Sequence, residues 1–147
     1  MKQLLIVILF LNLTVNYTAN SKPTETNALG NAIAEISGDR IVLITGSTSG
    51  LGREVARSLV EQGAHVIIHG RNQERGQELL DELNGKRKNS ARFYVADFGS
   101  LDAIRTFAKS INKDYKRLDV LINNAGIALI GQEERRISQD GYDCISR

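Results

Sequence analysis

The sequence predicts an α/β fold, a doubly wound parallel sheet of which about the first four strands are present. Three observations predict it. From Arg40 onward, short apolar and mostly β-branched runs alternate with stretches whose apolar residues recur at helical spacing. The order reads β-α-β-α-β-α-β, and strands joined by helices lie parallel with right-handed crossovers. Between the first strand and the first helix sits a glycine-rich turn, Thr45-Gly46-Ser47-Thr48-Ser49-Gly50-Leu51-Gly52.

Each element has its own signal. Ile41-Val42-Leu43-Ile44 reads as a strand buried on both faces. Gly50 to Gln62 places Leu51, Val55, Leu59 and Val60 on one helix face, and Gly63 stops it. Val66-Ile67-Ile68 is the second strand. Gln73 to Leu83 is a charged helix with Leu79, Leu80 and Leu83 inward, closed by Asn84-Gly85. Phe93-Tyr94-Val95-Ala96 is the third strand. Ser100 caps a long helix with Leu101, Ile104, Phe107, Ala108 and Ile111 inward, and Val120-Leu121-Ile122 is the fourth strand. That last strand is expected to leave an open sheet edge.

Length and composition bound the rest. A chain of 147 residues, 41% hydrophobic and 24% charged, is an ordinary single globular domain. A net charge of +2 is too small to point to nucleic acid. The basic cluster Gly85 to Arg92 follows Glu78, Asp81 and Glu82 and has no aromatic platform, so it reads as a solvated helix-to-strand loop. The single Cys144 excludes an intramolecular disulfide and reads as an incidental thiol.

The N-terminus carries a different signal. Lys2 precedes the apolar run LLIVILFLNL, Leu4 to Leu13, which is the layout of a secretory signal peptide. A membrane-crossing helix takes about 20 residues. Residues 1–19 are therefore expected to be a signal peptide ending at Ala19, or a membrane anchor through residues 4–15. Either implies the secretory pathway, in the endoplasmic reticulum or secreted. A hydrophobic strand or core helix of the fold is the competing reading. Tyr17 stands where a cleavage site prefers a small residue, and Asn16-Tyr17-Thr18 spells a glycosylation acceptor. The polar stretch Asn20 to Asn27 opens a linker, residues 20–38, in which Leu29, Ile33 and Ile36 have helical spacing. The domain proper is residues 39–147.

The glycine turn has a chemical logic. Gly46 lets the chain bend sharply out of the strand. Gly50 lacks a Cβ, so a pyrophosphate can approach the backbone, and Gly52 lets the helix pack closely. The helix start offers free N–H groups and a partial positive charge to the phosphates. A P-loop is excluded, because Gly52 is followed by Arg53-Glu54 rather than Lys-Ser/Thr.

The spacing Gly-x-x-x-Gly-x-Gly after Thr45, the Asp97 of "VADFGS" and the Asn123-Asn124-Ala125-Gly126 of "LDVLINNAG" fall in one order. In this the chain resembles the short-chain dehydrogenases/reductases, from about Gly38 to Gly126 and more loosely to "SQDGYD", Ser138 to Asp143. It looks most like the branch with retinol dehydrogenase-like members, some of which carry an N-terminal anchor. The resemblance implies a Rossmann-type sheet of order 3-2-1-4. It implies that Gly46, Thr48, Ser49, Gly50, Leu51 and Gly52 line the pyrophosphate and ribose of a nicotinamide dinucleotide. Asp97 would accept from the adenine amino group, and Asn123, Ala125 and Gly126 would hold the strand end and the nicotinamide-side ribose.

The cofactor choice follows from the end of the second strand, His69-Gly70-Arg71-Asn72. It lacks the carboxylate that binds an NAD ribose, and Arg71 suits a 2′-phosphate, so NADP is expected over NAD. His65 and His69, ~13 Å apart on a strand, cannot share a metal ion.

Catalysis in this family uses a Tyr as acid/base, a Lys four residues later and an upstream Ser. Tyr17, Tyr94, Tyr115 and Tyr142 are followed at that distance by Ser21, Phe98, Asp119 and Ser146. An unperturbed Tyr titrates near pH 10 and needs the neighbouring cation to work at neutral pH. No catalytic residue is therefore assigned. The expectation is an NAD(P)-dependent oxidoreductase by resemblance, truncated before its catalytic groups, with a small carbonyl or alcohol substrate only in a full-length form. The alternatives are a non-catalytic dinucleotide- or partner-binding half-domain and an unstable truncated gene product.

Overall fold

Val42 and Ile44 point to one side of their strand and Leu43 to the other, and all three are buried. A strand with no polar face must be covered on both sides. The computed structural model describes residues 5–8, 39–126 and 137–142, and in it helices supply that cover. Its elements in chain order are β1 (Leu5–Ile8), β2 (Ile41–Ile44), α1 (Gly50–Glu61), β3 (His65–Gly70), α2 (Gln73–Lys86), β4 (Ala91–Val95), α3 (Leu101–Asp114) and β5 (Val120–Asn123).

All described strand pairs are parallel, in the order β1-β5-β2-β3-β4. The four strands expected from the sequence stand in their expected order. On one face Val42, Ile44, Val66, Ile68, Val120 and Ile122 pack against Val55, Leu59, Leu79 and Leu83 of α1 and α2. On the other, Leu43 and Ile67 pack against Phe107 and Ile111 of α3. Burying each such side chain is worth about 1.5–3 kcal/mol, so the α1/α2 face is the stronger half of the core.

Local chemistry sets the helix ends. Gly63, at φ 99°, ends α1, with Ala64 N–H donating to Leu59 O (2.9 Å) and Gly63 N–H to Val60 O (3.1 Å). This is a Schellman closure, with glycine at the left-handed position. Asn72 caps α2 by accepting from Arg75 N–H (2.8 Å), and Ser100 caps α3 by accepting from Ala103 N–H (3.4 Å).

Two expectations about the helices are corrected. Asn84-Gly85 does not close α2, which runs on to Lys86. Asn84 instead turns its amide to β4, donating to Ala91 O (3.2 Å) and accepting from Ala91 N–H (3.0 Å), while Asn89 at φ 58° makes the reversal. Ala108 is exposed; Phe107 and Ile111 are the fully buried residues of α3.

Within the N-terminal run, Leu5–Ile8 lie as a strand in register with Val120 to Asn123. The edge of β5 that was expected to be open is thereby paired, which satisfies backbone groups that would otherwise face water or another chain. The rest of residues 1–19 and the linker 20–38 lie outside the described residues, as does Cys144. Among the described residues no helix is long and apolar enough to cross a membrane.

An ion-pair strap joins α1 to α2. Arg57 reaches Glu82 (2.7 Å), and Arg53 reaches both Glu78 (2.9 Å) and Glu82 (3.1 Å). The hydrogen bond from Arg57, then that from Arg53, hold the Glu82 carboxyl down to about 2, against an opposing desolvation effect. A carboxyl lowered on folding adds stability above its ordinary value of 4.5 and loses it as pH falls toward about 2. Urea unfolding followed by circular dichroism is expected to show stability declining across that window. Glu82→Gln should cost about 1 kcal/mol at neutral pH and flatten the acid decline.

Candidate functional site

The ends of β2 and β5 are neighbours in the sheet, and the strand order reverses between them. From β2 the sheet continues through β3 and β4 on one side, while β5 lies on the other. Ligand crevices of open α/β sheets form outside the strand ends at such a reversal.

Side chains hold this crevice in shape. Thr45 Oγ1 accepts from the N–H groups of Asn124 (3.0 Å) and Ala125 (3.0 Å). Asn124 Nδ2 donates in return to the carbonyls of Thr45 (3.0 Å) and Gly46 (3.1 Å). On the β3 side, Ser47 N–H donates to His69 O (2.8 Å), and Ser47 Oγ accepts from His69 N–H (2.9 Å). The His69 ring closes the arrangement: Nδ1 accepts from Gly46 N–H (3.1 Å), and Nε2 lies 3.2 Å from Ala96 O. An amide can only donate and a carbonyl only accept, so the ring is neutral with its proton on Nε2. Burial lowers the His69 pKa, opposed by the bond to Ala96.

The glycines fit because there is no room for anything else. Gly46 lies at φ 65°, and a Cβ on it would come within 2.8 Å of Ala125 Cα. A Cβ on Gly52 would come within 2.5 Å of Asn124 Nδ2 and 2.7 Å of Gly46 O. Gly52 thus lets the helix start close onto the loop and Asn124. A Cβ on Gly70 would strike the Thr48 side chain. Gly50 differs: it lies at φ 54°, and its Cβ would meet nothing within 4 Å. Beside it Ser49 is extended and makes no side-chain cap bond, and the first turn of α1 carries no acid. The helix start therefore offers amides that no side chain among the described residues has claimed.

These parts border one cleft of about 590 Å³. Of the residues singled out from sequence, Gly46, Thr48, Ser49, Leu51, Gly52, Arg71, Asp97, Ala125 and Gly126 line it. Gly50 and Asn123 do not; Asn123 is the last residue of β5, in register with Ile8. The asparagine that lines the cleft at that corner is Asn124. Arg71 is exposed and pairs with no carboxylate among the described residues. Asp97 Oδ1 accepts from Gly99 N–H (2.9 Å). The far wall comes from 137–142, where Asp140 Oδ2 accepts from Leu101 N–H (2.6 Å) and Gln139 N–H donates to Gly99 O (3.1 Å). The cleft can therefore receive an anion at unclaimed amides and a second anionic group at Arg71.

Sequence reasoning passed over Thr45, Asn124, His69 and Gly70 as site residues. A signal existed for one of them: His69 interrupts an apolar strand, and a polar side chain there needs partners. The phenols of Tyr94 and Tyr115 lie elsewhere, on the α3 side. Burial raises both pKa values, with the Asp114 hydrogen bond adding to the effect on Tyr94.

Gly46 and Gly50 should separate in unfolding experiments. Gly46→Ala is expected to lose about 2–4 kcal/mol, since strain at positive φ adds to a backbone collision. Gly50→Ala should lose about 1–2 kcal/mol from φ alone. Denaturant midpoints of the two variants check this.

Residues 40–145 match the family described as short chain dehydrogenase. The chain is 37% identical over 141 residues to the dehydrogenase/reductase SDR family member FEY of Arabidopsis thaliana, covering 92% of this chain and 35% of that protein. It is 42% identical over 105 residues to the NADP-dependent 3-hydroxy acid dehydrogenase YdfG of Escherichia coli, covering 70% of this chain and 40% of that one. The fold superposes on a metagenomic short-chain oxidoreductase solved in complex with NADP, with a TM-score of 0.60 and 30% identity over 65% of this chain and 42% of the other. The chain thus spans well under half the length of these relatives. On its sequence, its sheet and its glycine turn, the chain belongs to the short-chain dehydrogenase family.

Proposed function

We propose that this chain forms the dinucleotide-binding part of an NADP(H)-dependent oxidoreductase that interconverts a carbonyl and an alcohol. The observation that carries the reading is the uncapped start of α1. Ser49, Leu51 and Gly52 line the cleft there, beside amides with no side-chain acceptor among the described residues. A pyrophosphate is an acceptor of the right charge for such amides. When bound, the nicotinamide would supply or accept the hydride.

The chain's own residues would bind and orient. Thr48, Ser49 and Leu51 border the cleft at the helix start, where the diphosphate would sit. Asp97 would receive the adenine amino group, and Ala125 and Gly126 would border the nicotinamide-side ribose. Gly70 stands just before Arg71, at the strand end where an NAD-type site places its acid. An exposed guanidinium there offers charge-assisted bonds to a 2′-phosphate. NADP-bound and NADP-dependent relatives support the same choice. Proton transfer would need a Tyr with a nearby Lys, a pairing that none of these Tyr residues has by Tyr-x-x-x-Lys spacing. The 147 residues are accordingly proposed to hold the dinucleotide without moving hydride.

Calorimetric titration with NADPH and NADH tests the reading. NADPH should bind more tightly, and Arg71→Gln should weaken it by about tenfold to a hundredfold, the range for a bond to a charged group. NADH affinity should be nearly unchanged. Equal affinities for both in the unaltered chain, or no binding of either, would overturn the proposal.

A further inference from the structure

His69 does more than fill the end of a strand. The residue is 3% exposed, and its ring sits behind the glycine loop, stacked on Phe98 (centroids 4.0 Å apart) and tilted against Phe107 (4.9 Å). It is the side chain that holds Gly46 N–H, the amide at the sharp bend from which the loop starts. The hydrogen-bond roles leave one protonation state. Nδ1 must be bare to accept from Gly46, and Nε2 must carry the proton to donate to Ala96 O. A second proton on Nδ1 would set one N–H against another at 3.1 Å.

We propose that neutral His69 is the positioning residue of the phosphate-binding loop, and that acidification unlatches the loop and lowers dinucleotide affinity. The inference rests on the reading of the cleft as a dinucleotide site. Desolvation also disfavours the charged ring, so the latch persists through neutral pH and yields on the acid side.

Among the described residues no carboxylate bonds to the ring; Asp140, across the cleft, accepts from Leu101 N–H (2.6 Å). The loop contributes Gly46 and Ser47, neither charged. From the end of β4 comes Asp97, whose carboxylate turns back to Gly99 N–H (2.9 Å). From α3 comes Phe107, while Asp102 and Arg105 of that helix pair with each other at the surface (2.9 Å). Arg71, two residues on, is exposed at the cleft wall. Among the described residues the imidazole bonds only to Gly46 and Ala96. Protonation therefore breaks the Gly46 bond and forms no ion pair in exchange.

The test has a ligand-free arm and a binding arm. With two histidines in the chain, His65→Gln leaves His69 as the sole imidazole, and its titration is followed by NMR together with the Gly46 amide. The two are expected to move in one transition on the acid side. In the binding arm, affinity for NADPH and for NADH is measured from pH 8 down through the His69 transition found by NMR. NADH is included because a 2′-phosphate has its own titration near pH 6. Both nucleotides should weaken by about tenfold as His69 protonates, the worth of one lost hydrogen bond. His69→Gln, which keeps one acceptor and one donor, should bind as the parent does at pH 8 and lose the pH dependence for NADH. Should that variant fail to fold, the parent titration still decides. A Gly46 amide indifferent to His69, or an affinity that rises as the ring gains charge, overturns the proposal. If Gly46 follows His69 and neither nucleotide binds at any pH, the latch stands and the dinucleotide reading fails.

Discussion

The crevice depends on the clasp between the ends of β2 and β5. Thr45 and Asn124 are far apart in sequence, yet four hydrogen bonds run between the Thr45-Gly46 and Asn124-Ala125 corners. Each is worth about 0.5–1.5 kcal/mol net, and removing one partner strands the groups it satisfied. Because the corners lie so close, Gly46 and Gly52 have no space for a Cβ. The bareness of the loop is thus first a packing requirement of this clasp. The clasp also borders the cleft, which Gly46, Gly52, Asn124 and Ala125 line.

The three described helices divide between support and reception. α2 and α3 spend a side chain on closing their own starts, through Asn72 and Ser100. α1 has a serine at the same position and does not use it. Its orientation is fixed from outside instead. Arg53 immediately follows Gly52, and with Arg57 it ties the first turns of α1 to Glu82 on α2. The strap fixes the rotation of the helix whose amides face the cleft, at the modest energy of partly exposed pairs. His69 and Ser47 brace the loop from the β3 side as Asn124 does from the β5 side.

Much of this was legible in the sequence because it rests on local signals. Apolar four-residue runs gave the central strands, and glycine at positive φ gave the bend at Gly46 and the stop at Gly63. The cluster of predicted residues around one cleft follows from the parallel order, which sends every strand end to the same side. What escaped was decided by contact across the chain. Nothing in "NNAG" says that the second asparagine, not the first, turns toward Gly46. The continuation of α2 past Gly85 depends on Asn84 finding Ala91 on β4, a partner seven residues away that only the folded reversal supplies.

The N-terminal run shows the same limit from the opposite direction. A signal peptide and a strand of a parallel sheet can share one composition, a short unbroken series of apolar residues. Leu5–Ile8 satisfies both, so composition cannot separate them. In the structure Leu5–Ile8 pairs with β5 in register over Val120 to Asn123, a contact that composition alone does not reveal. The start of α1 is also set by contact rather than composition: among the described residues no side chain caps its amides, so they stay open to a ligand.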